Sequence, residues 1–232
     1  MANQGTSPAR AQRRRAAGNL IDNRDVRSGI WIVHAMDGGQ RIPLLGDLRH
    51  EHFYFTEGDP KVGLTEYVLE PTATTLDGVS DKPLRFDCVV TTLDGGRYCR
   101  RVAEQSLDPA VDSDARLIER YTRAARRFGG TFEEVTAAQL GAASVRVSNW
   151  VRVMGAYLRC RGRPLGVIEA LVMAHVVGVS ATALGDLLNR LSDQPPALVL
   201  ASVARLLRHR QLCSDLDERA WSRHSLLWRT EP

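Results

Sequence analysis

Asp87 and the run Arg100-Arg101-Val102 flank a Gly-rich turn in the stretch "LRFDCVVTTLDGGRYCRRVAEQS", Leu84 to Ser106. Leu84, Phe86, Cys88 and Val90 alternate with Arg85, Asp87, Val89 and Thr91, which predicts a period-2 strand with one apolar face. Leu-Asp-Gly-Gly at 93–96 supplies positive φ at low cost and reads as a hairpin turn. Residues 97–103 then return as the paired strand. An Asp on one strand with Glu-x-Lys or Gln-x-Lys on the next is how many metal-dependent nucleases hold their cation. Mg²⁺ needs oxygen ligands in near-octahedral geometry. It offsets charge on a pentavalent phosphorus, orients a water and steadies the leaving oxygen. A lysine alongside stabilises charge or lowers the pKa of the attacking water. Here the second strand offers Arg100, Arg101 and Val102 instead.

Other chemistry-bearing patterns are sparse. His50-Glu51-His52 lacks the HExxH spacing, and its two histidines point to different sides of a helix. No GxSxG or P-loop occurs. The four cysteines, Cys88, Cys99, Cys160 and Cys213, form no CxxC pair, which argues against a zinc site and a disulfide scaffold.

The chain has 232 residues, 44% of them hydrophobic, enough to bury a core in one large or two small domains. The formal net charge is +4, and Lys61 and Lys82 are the only lysines among 31 basic residues. Arginine forks suit phosphates, and a GC-rich genome gives the same bias. The N-terminus lacks an apolar signal segment, and no run reaches membrane-spanning length, so a cytoplasmic location without membrane contact is expected.

Residues 1–27 read as a disordered basic tail in which Arg13, Arg14 and Arg15 either touch DNA non-specifically or are simply solvated. Residues 29–36 predict a strand ended by the turn Asp37–Gly39. Leu45, Leu48, His52 and Phe55 give the next segment an apolar helical face, stopped by Gly58 and Pro60. Residues 62–76 read as extended and broken by Pro71. Leu117, Ile118, Tyr121, Ala124, Ala125 and Phe128 predict a helix capped by Asp112 or Ser113 and closed by Gly129-Gly130. Thr131 to Val135 predicts a short strand. A linking helix covers about 144–160, and Arg161–Pro164 reads as a domain boundary. Three helices follow: 165–177, one capped by Ser180, and one opened by Pro195-Pro196. "QLCSDLDERAWSRHSLLWR" then reads as a two-stranded wing, giving a winged helix-turn-helix.

In this order the chain resembles the TnsA-like endonuclease subunit of heteromeric transposases over roughly residues 28–229. "LGDLRHEHFYFTEGDP" matches that family's acidic helix line. "RFDCVV" matches its "PDFLV" strand and "DGGRYCRRV" its "DG…VEVK". "RQLCSDLDERAWSRHSLLW" matches its C-terminal "GxLxADLD" wing. The resemblance implies an α/β fold: a restriction-endonuclease-like mixed sheet with flanking helices over 28–143, a linking helix over 144–164 and a winged-helix-like domain over 165–232. It implies Mg²⁺-dependent cutting at the transposon's 5′ end, with DNA, a transposase subunit and an ATPase regulator as partners.

Carried over residue by residue, the family's helix Glu falls on Arg49 and its strand Asp on Asp87. The second-strand Glu or Gln falls on Arg100, and the Lys on Val102. Only Asp87 is retained. Positive charges about 4 Å from a cation repel it by roughly 4 kcal/mol each at an effective dielectric near 20. Asp87 is therefore expected to pair with Arg49 or Arg100 and no metal is expected. Glu51 lies about 200° round the helix from Arg49. Glu104 lies about 13 Å along the strand from Arg100. Neither restores the site. Arg205, Arg208 and Arg210 on the third C-terminal helix are the candidate DNA-phosphate contacts, set against a solvated face or a protein contact. The reading is a catalytically degenerate subunit. An active Mg²⁺ endonuclease with a migrated site and a winged-helix DNA-binding regulator are its rivals, and enzyme status stays open.

Overall fold

The fold is a computed structural model that describes residues 29–36, 39–67 and 84–230. The expected basic tail lies outside the described residues, as do most of the turn at Asp37–Gly39 and the extended stretch around Pro71.

The hairpin at the centre forms as its turn chemistry dictates. Gly95 takes φ 87°, the Thr92 amide donates to the Gly96 carbonyl at 2.8 Å, and the Thr92 hydroxyl donates to Asp94 at 2.5 Å. Strand β4 (Cys88–Thr92) thereby pairs antiparallel with β5 (Arg97–Ala103). β3 (Val62–Tyr67) pairs antiparallel with β4 on one side. On the other, β6 (Thr131–Thr136) runs parallel to β5. The result is a mixed four-stranded sheet, β3-β4-β5-β6.

Two helices flank it. α1 (Asp47–Gly58) lies between the short hairpin β1 (Ile30–His34)–β2 (Arg41–Leu45) and β3. α2 (Asp112–Arg127) makes the crossover from β5 to parallel β6, as parallel pairing requires. Cys88, Val89 and Val90 are all buried, because both sheet faces are covered. The expected single apolar face therefore needs correction. β4 begins at Cys88, and Asp87 sits in a bend just before it. Across that bend the side chains change sides. Leu84 and Phe86 cluster with Val89, Tyr121, Ala124 and Ala125, whereas Cys88 and Val90 cluster with Val62.

Three smaller expectations also change. Leu45 ends β2 rather than joining the helical stripe, and α1 buries His52, Phe53, Thr56, Glu57 and Gly58. α2 starts after Val111 with no side-chain cap; Asp112 and Asp114 instead occupy its first turn, where carboxylates favour the helix dipole. A short helix that the periodicity did not reveal, α3 (Ala137–Ala142), is opened by a reciprocal capping box between Thr136 and Gln139.

The C-terminal half is helical. α4 (Ser144–Arg159) packs on α1 and on α7 (Pro196–Arg208). Between them come α5 (Gly166–Val177), the two-residue strand β7 (Thr182–Ala183) and α6 (Leu184–Arg190). α6 starts at Leu184 rather than at a Ser180 cap, because Thr182 and Ala183 pair with β9 (Leu226–Arg229). β8 (Leu212–Ser214) pairs with the other edge of β9, giving the order β7-β9-β8.

The largest apolar core runs through both halves. Val33, Ile42 and Phe53 join Trp150, Met154, Val172, Leu187, Val203 and Leu227 in one cluster across the turn at 161–164. Cys88, Cys99, Cys160 and Cys213 are free thiols. No helix among the described residues is long and apolar enough to cross a membrane.

Candidate functional site

Asp87 is held by the bend before β4. Its amide donates to the Arg100 carbonyl at 2.8 Å, which fixes it against β5. Its carboxylate is fully engaged. Oδ1 accepts from Arg49 Nε at 2.5 Å, and Oδ2 accepts from the Val102 amide at 2.7 Å. Arg49 projects from the first turn of α1 and also reaches the Leu45 carbonyl at 3.3 Å. The four positions carried over from the resemblance thus come together: Arg49, Asp87, Arg100 and Val102 meet where α1, the β4 bend and β5 converge. Asp87 is the acid of that group, and a cation is already on it.

Arg100 is 6% exposed, and its neighbours satisfy it. Nε donates to Glu133 at 2.6 Å, Nη1 donates to the Thr56 hydroxyl at 3.3 Å, and Nη2 lies 3.8 Å from Asp59. Its guanidinium also lies 6.0 Å from the Phe55 ring centroid, and Arg146 approaches the same ring at 5.4 Å. Val102 fills an apolar niche with Val135, Leu140, Leu48 and Phe55. A lysine there would have to thread its ammonium out through that niche. Among the described residues no three His, Cys, Asp or Glu side chains converge as a metal-holding group.

Glu133 is the residue that sequence reasoning missed. In the parallel register of β5 and β6, Arg100 faces Glu133 and Arg101 faces Glu134. Arg101 pairs with Glu134, whose other oxygen accepts from the Leu107 amide at 2.8 Å. The signal was present as Arg-Arg in one strand and Glu-Glu in another. It becomes readable only once the two strands are known to be parallel neighbours.

His52 sits one turn from Arg49 and is 2% exposed. Burial, then the charges of Arg100 and Arg49, push its pKa from 6.5 to about 3. Thr56 Oγ1 lies 3.2 Å from His52 Nε2. The same Thr56 hydroxyl accepts from Arg100. His50 is elsewhere: it stacks on Trp31 at 4.0 Å, while Trp31 donates to Asp47 at 2.8 Å. Glu51 and Glu104 are exposed.

The three arginines expected on a DNA-facing helix each have partners within the molecule. Arg205 Nη2 donates to Glu169 at 2.5 Å. Arg208, 3% exposed, donates to Glu57 at 2.9 Å, and the Tyr67 hydroxyl donates to the other Glu57 oxygen at 2.7 Å. Burial and the Glu57 charge hold the Tyr67 phenol well above its usual pKa. Arg210 adopts φ 59° and donates to the carbonyls of Asp59 and Val62. Burial, then Arg208, lowers its pKa to about 10. These bonds tie the end of α7 to the end of α1.

The fold and site define an α/β protein with a mixed four-stranded sheet whose candidate acidic centre is neutralised by arginines. No protein-family model matches the chain, and a search of curated proteins finds no match.

Proposed function

We propose that the chain is a catalytically degenerate, TnsA-like pseudo-endonuclease subunit of a DNA transposition system. It keeps the architecture of a nuclease, binds transposon-end DNA, its transposase and regulator partners, or both, and contributes assembly or regulation rather than cleavage. The observation that carries this reading is the occupancy of Asp87: both carboxylate oxygens are taken, one by Arg49 and one by the Val102 amide. A guanidinium paired to a carboxylate at this distance is a strong, directional partner. A divalent ion would have to displace it while lying close to Arg100 as well.

Two further features support the assignment. The mixed sheet between α1 and α2 agrees with a restriction-endonuclease-like domain over 28–143. The order α5, α6, α7 and then the β8–β9 hairpin agrees with a winged-helix-like domain over 165–232. The proposed partners are DNA, a transposase subunit and an ATPase regulator of transposition.

Reconstitution with a transposase encoded beside this chain tests the reading. Adding the chain should change the partner's strand cutting or joining at transposon ends, and Asp87→Asn should leave that change intact. A chain that neither binds nor alters any neighbouring transposase contradicts the proposal.

A further inference from the structure

Helix α2 carries five arginines, Arg116, Arg120, Arg123, Arg126 and Arg127. At 3.6 residues per turn, Arg116, Arg123 and Arg127 fall within an arc of about 40° and run about 16 Å along the helix. Tyr121, Ala124 and Ala125 point the other way and are buried against the sheet. Arg116, Arg123, Arg126 and Arg127 are exposed.

The acids on α2 do not cancel this stripe. Asp112 and Asp114 sit in the first turn. Glu119 pairs with Arg123 at 2.5 Å, but the two side chains are 67% and 44% exposed, so water screens the pair and a phosphate can replace it. Among the described residues, Arg116, Arg126 and Arg127 make no ion pair. The helix dipole accounts for arginines in the last turn, Arg126 and Arg127, but not for Arg116 or Arg123. Like charges four apart, such as Arg123 and Arg127, disfavour an isolated helix. The contrast with the end of α7 is direct: Arg208 and, just past it, Arg210 are held by Glu57 and by backbone carbonyls.

We propose that the outward face of α2 is a backbone clamp for duplex DNA, a role that rests on the reading of the chain as a DNA-binding transposition subunit. The complementarity is one of charge. Over about 16 Å a duplex presents roughly ten phosphates, so a straight row of guanidiniums meets several of them on the side that faces it. Guanidinium forks match phosphate oxygens. Contacts to phosphate position DNA without reading its sequence, so binding through α2 is independent of base composition.

The test is fluorescence anisotropy of the full chain with two unrelated short duplexes, titrated between about 50 and 200 mM KCl. Three proteins are compared: wild type, Arg116→Gln/Arg123→Gln/Arg127→Gln, and a charge-matched control, Arg159→Gln/Arg163→Gln/Arg190→Gln. The control removes three exposed arginines that lie off α2. Circular dichroism and thermal midpoints establish that all three fold. The α2 variant should weaken on both duplexes equally, and its slope of log K against log salt should be shallower by about 2.7, or 0.9 per lost phosphate contact. The control should keep the wild-type slope. Wild-type binding that the α2 variant retains, or that the control loses equally, overturns the clamp and leaves the proposed function standing. A wild-type chain that binds neither duplex overturns the clamp, and the proposed function falls with it only if the chain also leaves its neighbouring transposase unbound and unaltered.

Discussion

At the scale of single residues, Asp87 serves as a structural acceptor. It neutralises Arg49 and takes the buried Val102 amide. Asp87→Ala should therefore cost about 1–3 kcal/mol in urea unfolding, because a buried donor loses its acceptor. Asp87→Asn, which keeps an oxygen for that amide, should cost less. Saturating Mg²⁺ should not raise the wild-type thermal midpoint. His52 gives a pH signature. Its folded pKa of about 3 lies below the ordinary 6.5, so between those values the unfolded chain takes up a proton that the folded chain refuses. Its contribution is complete above about pH 6.5 and is lost as pH falls. Between pH 6.5 and 4.5 the loss is about 2 kcal/mol, since the slope rises to about 1.4 kcal/mol per pH unit only below 6.5. His52→Gln should remove that slope from the difference between denaturation curves measured at those two pH values. The pairing of Asp87 with an arginine was legible through the family resemblance, which set Arg49 and Arg100 at the positions around it. Glu133 was not, because its relation to Arg100 depends on which strands are neighbours.

At the scale of elements, the hairpin, α2 and β6 were readable because turn chemistry and periodicity are local. The change of sides at Asp87 was not. Alternation predicts one face, but a bend exchanges faces without altering the pattern of residues. The two-residue β7 was hidden for a related reason: Thr182 and Ala183 become strand only through pairing with β9, far along the chain. Close packing between elements was equally silent. Gly58 ends α1 flat against the Trp150 indole of α4, and any Cβ there would overlap the ring. Gly58→Ala should thus destabilise by about 1–3 kcal/mol although alanine is the better helix former. Thermal unfolding checks it, and a neutral or stabilising result would contradict the α1–α4 packing.

At the scale of the molecule, the two halves share one apolar core and a buried charge cluster. Glu57 and Arg208 are 1% and 3% exposed and come from α1 and α7. Glu57→Leu alone should cost about 3–5 kcal/mol, since it breaks a buried ion pair and removes the acceptor of the Tyr67 hydroxyl. Adding Arg208→Met should recover most of that loss, and a double-mutant cycle in urea measures the coupling. Sequence reading took Arg208 for a surface cation because its helix is basic at that end; burial against Glu57 follows only from how α7 docks on α1. On the proposed reading, arginine takes a cation's place beside Asp87. Nicking of supercoiled plasmid and of transposon-end DNA, in Mg²⁺ and in Mn²⁺, with and without the neighbouring transposase, tests it most directly. The expected result is no cleavage by this chain in either metal and no difference between wild type and Asp87→Ala. Metal-dependent nicking that disappears in Asp87→Ala would contradict it and would mean that Arg49 leaves Asp87 when a metal arrives.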